Sequence, residues 1–250
     1  ENYLATEVAS AENNGLSDYY NWDSNTGVPT VSGLSSDETI WWNWQRARGY
    51  FDIVAYTGND SNRTISHNLG VAPEMMWVKD RGRNQNWAVY HANNTAEPAT
   101  DRLRLNESDA TVDDNAYWND TVPTSSVFSL GTDGDVNTNG ENYVAYLFAT
   151  VANVSKVGSF TQSGATNVAC GFTGSTPALI ILKRTDASGN WYILDAVRGI
   201  VAGNDKSLYL NSTAAEITNA DIVDPYSGGF ATTSSLADGD YIFYAIAAIS

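Results

Sequence analysis

The segment Val78-Lys79-Asp80-Arg81-Gly82-Arg83-Asn84-Gln85-Asn86-Trp87-Ala88-Val89-Tyr90 occurs twice in this chain. Its second copy, Leu182-Lys183-Arg184-Thr185-Asp186-Ala187-Ser188-Gly189-Asn190-Trp191-Tyr192-Ile193-Leu194, lies 104 positions further on. Lys79 answers to Lys183, Asn86-Trp87 to Asn190-Trp191, and upstream Pro73 to Pro177, all at one spacing. Such a repeat constrains the fold more than composition does, because each copy must be the same supersecondary unit. Each copy reads as a β-hairpin: an apolar run, a polar turn, and a second run opened by tryptophan.

The repeat extends on both sides of the hairpin. Tyr56-Thr57 answers to Phe160-Thr161, and Leu103-Arg104-Leu105-Asn106 to Leu208-Tyr209-Leu210-Asn211 at a spacing of 105. Phe128 answers to Phe230. The closing run Tyr143–Ala149 answers to Tyr241–Ala247, with Tyr146 and Tyr244 now 98 apart because the loop after Phe230 is shorter. Length changes confined to loops are what a structural repeat shows. Tyr3-Leu4-Ala5-Thr6 resembles Tyr209-Leu210-Asn211-Ser212, and Trp41–Ala47 stands where Tyr143–Ala149 stands, 102 positions earlier. Residues 1–49 therefore read as the C-terminal half of a preceding module, 50–150 as repeat 1 and 151–250 as repeat 2. A half-module leaves an apolar sheet face to be covered by repeat 1 or by another chain. Glu1 in place of an initiator Met reads as a piece of something longer, and no signal-peptide pattern precedes the fold.

The local pattern is strand throughout: short runs rich in Val, Ile, Tyr, Phe and Trp, punctuated by Gly, Asn, Asp and Ser. Met75–Val78 and Leu179–Leu182 are continuous apolar runs, the signature of a central strand buried on both faces. Pro73 and Pro177 precede them, where a missing N–H does no harm to a ladder. About seven strands in about 100 residues is the size of an antiparallel sandwich. Only Ser212–Thr218 and its counterpart Glu7–Asn13 suggest a short turn of helix. The expected class is all-β, as tandem antiparallel β-sandwich modules.

A net charge of −16 argues against nucleic-acid binding, which needs a basic face, and against docking on an anionic membrane. Hydrophobic content of 42% is ample for packed cores. Cys170 is the only cysteine, so no intrachain disulfide forms, and a buried inert thiol is the expected state.

Several constellations are candidates for chemistry. In Gly131–Glu141, alternating Asp133, Asp135, Asn137 and Asn139 could aim oxygens at one Ca²⁺; the competing reading is a long polar turn. No other cofactor is implied. His67 and His91 are replaced by Gly171 and Asp195 in repeat 2, and with one Cys they supply no zinc set. The carboxylate pairs Asp37-Glu38 and Asp113-Asp114 read as solvated loop rather than as the separated acids of a glycosidase. Trp118, with Tyr117 and Asn119, sits in a polar loop and is a candidate for stacking on a sugar ring; the competing reading is a loop anchor. Of Trp41, Trp42 and Trp44, Trp42 is expected to leave its own core and seal the boundary with repeat 1 or meet a neighbouring chain.

The runs Arg63–Met76, Pro123–Phe128, Tyr143–Ala149 and Asp195–Gly199 together resemble an uncharacterised tandem module of tail-fibre and other virion structural proteins of marine, cyanophage-like tailed phages. The resemblance covers nearly the whole chain. It implies modules of jelly-roll or concanavalin-like shape, a place on the virion surface, a homo-oligomer with a trimer as the leading state, and other virion proteins as partners. It carries no catalytic residues. The expected function is a non-enzymatic fibre segment that spaces binding surfaces and touches host surface glycans. The alternatives are a lectin-like adhesin domain of a bacterial surface protein and a depolymerase attached to a fibre.

Overall fold

The computed structural model describes residues 4–12 and 42–248. Trp41 and the Asp37-Glu38 pair lie outside them. Repeat 1 is built from β1 (Phe51–Thr57), β2 (Arg63–Ser66), β3 (Met75–Asp80), β4 (Ala88–His91), β5 (Asp101–Arg104), β6 (Val112–Asp113), β7 (Val127–Leu130), the single-turn helix α1 (Gly134–Asn137) and β8 (Asn142–Phe148). Repeat 2 follows as β9 (Ser155–Gln162), β10 (Thr166–Ala169), β11 (Pro177–Arg184), β12 (Trp191–Asp195), β13 (Asp205–Tyr209), β14 (Ile217–Ala220), β15 (Val223–Tyr226), β16 (Gly229–Thr232) and β17 (Gly239–Ala247).

Each repeat has one six-stranded antiparallel sheet, ordered β1-β8-β3-β4-β5-β6 in the first and β14-β13-β12-β11-β17-β9 in the second. A smaller sheet covers one face: β2-β7 in repeat 1, β10-β16-β15 in repeat 2. The fold is therefore all-β, as expected. Both hairpins form, with Trp77 opposite Val89 and Ile181 opposite Ile193. Each closing strand pairs with the first strand of its hairpin, Trp77 with Tyr146 and Ile181 with Tyr244. The helical turn expected at Ser212–Thr218 is absent; Ile217 begins β14 and the residues before it are irregular.

The continuous apolar runs follow from burial on both faces. Successive strand side chains point to opposite faces. Met76 and Val78 enter an outer core with Ile65, Phe128 and Leu147, beneath β2-β7 and α1. Ile180 and Leu182 enter the matching outer core of repeat 2, with Phe230 and Phe243. Met75 and Trp77, like Leu179 and Ile181, point the other way, and there the two repeats share one core with Phe148, Val157, Trp191 and Tyr244. Phe148 packs on Tyr244 at 5.1 Å between ring centroids. Each repeat is thus a two-sheet sandwich around its own outer core, as expected, and the two sandwiches share a further core. The inner faces of their large sheets meet, and Leu4, Trp42 and Trp44 of the half-module pack against the same core.

Equivalent turns lead into both repeats. Ala47 bridges to Phe51 as Val151 bridges to Ser155, a spacing of 104. Trp42 and Trp44 therefore stand where Tyr146 and Phe148 stand, two positions away from the 102-residue match read in the sequence. Among the described residues no helix is long and apolar enough to cross a membrane.

Candidate functional site

Trp87 stands just before β4 and Trp191 begins β12; both face inward and are almost fully buried. A buried indole N–H needs an acceptor, and in each case another unit supplies it. Trp191 Nε1 donates to Arg104 O (2.9 Å), and Trp87 Nε1 to Ala5 O (2.8 Å). The lysine of each hairpin does the same: Lys183 Nζ donates to Ser108 O and Lys79 Nζ to Ala9 O, both at 3.3 Å. A third bond runs in return, from Thr111 N to Thr185 O and from Glu12 N to Arg81 O, both 2.8 Å. Along the acceptor strip, Ala5, Ala9 and Glu12 answer to Arg104, Ser108 and Thr111 at a constant spacing of 99. Along the hairpin the spacing is 104. One three-bond clasp is therefore made twice, with the half-module holding repeat 1 as repeat 1 holds repeat 2.

The clasp consumes two buried ammonium groups. Lys79 and Lys183 have no exposed surface. Lys79 also donates to Asp80 O (2.7 Å) and Arg83 O (3.3 Å), and Lys183 to Arg184 O (2.6 Å), so each charge is spread over backbone carbonyls. Burial still lowers both pKa values from 10.5 to about 8; Asp80 and Asp135 oppose it at Lys79, and Asp109 and Asp186 at Lys183.

A second contact runs from the far end of the hairpin to the next unit's closing strand. His91, at the end of β4, places Nε2 3.2 Å from Phe243 O, while its Nδ1 accepts Asn93 N–H at 3.2 Å. The ring is therefore the neutral tautomer with its proton on Nε2. Burial pushes its pKa down from 6.5 to about 4, against the pull of the Phe243 carbonyl. Asp195 holds the same place on β12. Its carboxylate accepts Trp42 Nε1 (3.3 Å) and Arg198 Nε (2.6 Å), and the Arg198 guanidinium lies 5.5 Å from the Trp42 ring centroid. Trp42 thus reaches repeat 2 while packing on the shared core. The half-module clasps repeat 1, repeat 1 reaches repeat 2, and repeat 2 reaches the half-module. The contacts run in one direction around the shared core, as around a pseudo-threefold axis.

The sugar-stacking candidate does not survive. Tyr117 and Trp118 have no exposed surface. Trp118 Nε1 donates to Asp101 O (2.9 Å) and its ring meets Tyr90 edge-on at 5.9 Å; Tyr117 takes Arg104 Nη2 at 2.9 Å and donates to Asp135. The loop folds back on its own backbone, with Gly131 packed so closely on it that a Cβ would stand 2.1 Å from Ala116 O. Asn119 accepts from Asn62 and sits at φ 53°, a turn residue.

The calcium candidate is also overturned. Asp133 caps α1 by accepting Asp135 N (2.7 Å), and that turn of helix rotates successive side chains apart instead of alternating them. Asp135 is buried, accepting Asn86 N (3.0 Å), Arg104 Nε (3.2 Å) and the Tyr117 hydroxyl. Asn137 spends its amide on Ser61 O, Gly131 O and Asn59 N. Asn139 is exposed, and its backbone N–H goes to Asp60. Asp133, Asp135 and Asn137 thus spend their oxygens on separate protein donors, and among the described residues no three His, Cys, Asp or Glu side chains form a metal-ligand group. Cys170 is buried, and burial pushes its thiol up to about 12.

Sequence reasoning missed His91, Asp195, Arg198 and the two lysines as contact residues. The 104-residue spacing of Lys79 and Lys183 was a visible signal, since a lysine recurring inside an apolar strand needs a buried partner. A cleft also opens where the half-module meets repeat 2. It measures about 580 Å³ and is lined by Asn43, Gln45, Tyr50, Asn153, Thr173 and Ser175 among others.

No curated protein and no solved structure matches the chain. The family described as Domain of unknown function (DUF7483) matches residues 3–249. A single family unit thus takes in the half-module and both repeats, the same span that shares the central core, and the chain belongs to that family.

Proposed function

We propose that this chain is a non-enzymatic segment of a virion appendage, a tail fibre or capsid-surface fibre, exposed on the particle and assembled as a homo-oligomer with other virion proteins. The reading rests on the twice-made clasp. A contact that joins unit to unit through backbone carbonyls depends little on side-chain identity, and units closed on one shared core make a rigid block suited to a structural segment. The groups suited to chemistry support it too. Asp135, His91, Tyr117 and both hairpin lysines are buried and spent on structural partners. Light scattering at marine-like salt tests the assembly. A stable multimer, with a trimer as the leading state, supports the fibre reading. A monomer at all concentrations moves weight to a free-standing adhesin.

Contact with host glycans is the second part of the reading, and its place is the cleft beside Tyr50. Amide and hydroxyl groups around an aromatic ring are the chemistry that holds a sugar. Asn43 and Gln45 are exposed on its wall. On a glycan array, binding to one glycan class that is lost in Asn43→Ala/Gln45→Ala supports this, and binding unchanged in that variant refutes it. Release of reducing ends from polysaccharide would replace the whole reading with a depolymerase.

A further inference from the structure

Among the described residues the clasp's acceptor strip occurs three times and its hairpin twice. The strips run from Ala5 to Glu12, from Arg104 to Thr111 and, at the 105-residue spacing of Leu103–Asn106 and Leu208–Asn211, from Tyr209 to Glu216, so that Ala5, and not Tyr3 as in the sequence match, answers to Tyr209. The third strip is built like the second. Leu210 N donates to Trp191 O as Leu105 N donates to Trp87 O. Asn211 Oδ1 accepts Trp191 N as Asn106 Oδ1 accepts Trp87 N, both at 2.9 Å. Among the described residues, however, no tryptophan or lysine donates to the Tyr209 or Thr213 carbonyl. Burial follows the same division. Leu103 and Leu105 are fully buried beneath repeat 2, whereas Leu208 and Leu210 are half-buried and Thr213, Ala214 and Ala215 are exposed.

A separate observation comes from the inner face of repeat 1. Phe51, Ile53, Trp77, Tyr146 and Phe148 line an apolar cavity of about 290 Å³. In repeat 2 the same face is closed by repeat 1: Val157 is 1% exposed, whereas Ile53, its counterpart, is 40% exposed. Trp77 Nε1 on the cavity wall is buried with no acceptor among the described residues, and a native core rarely leaves such a group unpaired. Strip and cavity belong to one apolar core, and the order of contacts around it places the missing hairpin between them.

We propose that the Tyr209–Glu216 strip is the docking site of a third β-hairpin of the repeat's own kind, with a lysine at the Lys79 place and a tryptophan at the Trp87 place. Its indole N–H donates to the Tyr209 carbonyl and its ammonium to the Thr213 carbonyl, and one of its backbone carbonyls accepts the Glu216 N–H. Its apolar face enters the cavity against Trp77 and Phe148 and completes the third side of the core. Both hairpins of a second copy are already seated on their own strips, so the occupant comes from a different repeat of this family. The proposal does not depend on the appendage reading.

The test uses the whole chain and a peptide spanning Met75–His91, closed by a disulfide after Met75→Cys and His91→Cys, which are cross-strand partners. Contacts between Trp77 and Val89 in its proton spectrum first establish that the peptide is a hairpin. Calorimetric titration should then show saturable 1:1 binding, weakened about tenfold or more by Trp87→Ala in the peptide and by Leu210→Asp in the chain. A verified hairpin that fails to bind, or binds the Leu210→Asp chain equally well, overturns the proposal. A chain that instead dimerises through this strip, with a dimer lost in Leu210→Asp and no peptide binding, also overturns it and makes a second copy the occupant.

Discussion

Trp191 is held by a hydrogen bond that its own repeat does not supply. Its indole fills the shared core while its N–H is taken by Arg104 O. Trp191→Ala should cost about 3–5 kcal/mol in denaturant unfolding, the range for an aromatic removed from a packed core. Trp191→Phe keeps most of the apolar contact and loses the bond, so about 1 kcal/mol should remain between it and wild type beyond the packing change. His91 gives a pH signature. Its folded pKa, about 4, lies below the unfolded value of 6.5, so between those limits the unfolded chain holds more protons. Its stabilising contribution is complete above pH 6.5 and is lost as pH falls through that window, on the order of 2 kcal/mol by pH 5. Wild type should therefore lose more stability than His91→Gln between pH 7 and pH 5; parallel losses would mean that the folded ring takes up a proton on Nδ1, in place of the bond from Asn93 N–H, as readily as the unfolded one. Neither role was legible in the sequence. The recurrence of Trp87 and Trp191 marked a fixed position, but the same alternation serves a private core or a shared one. Trp118 shows the converse: its polar neighbours suggested exposure, and a bond to Asp101, 17 residues away, buries it.

At the scale of elements, the hairpins and closing strands could be read from the chain because their pattern is local: apolar alternation, a polar turn and a tryptophan at a fixed offset. The Asp133–Asn139 loop could not, because one capping bond from Asp133 decides between an extended run that gathers oxygens and a turn of helix that scatters them. Asp135 then becomes the acceptor that lets Tyr117 be buried and Arg104 half-buried. Removing it leaves both donors unpaired, and Asp135→Ala should destabilise by on the order of 3 kcal/mol. A chelator should leave the melting temperature of the wild type unchanged, and calcium should not raise it. A rise of several degrees with calcium would restore the metal site and contradict the role given to Asp135.

For the whole molecule, the sequence marks two and a half similar units, and the structure joins them across one shared inner core while each repeat keeps an outer core of its own. The units and their spacings were visible. Which faces meet was not, since the inner and outer faces of β3 and β11 are equally apolar and both are buried. The central claim is that no repeat covers the inner face of its large sheet alone. Scanning calorimetry of the intact chain tests it most directly. A shared core predicts one transition whose calorimetric enthalpy equals its van't Hoff enthalpy, and Trp191→Ala should shift that whole transition downward. Two separable transitions, with Trp191→Ala lowering one and leaving the other in place, would show that the repeats fold independently and would contradict the claim.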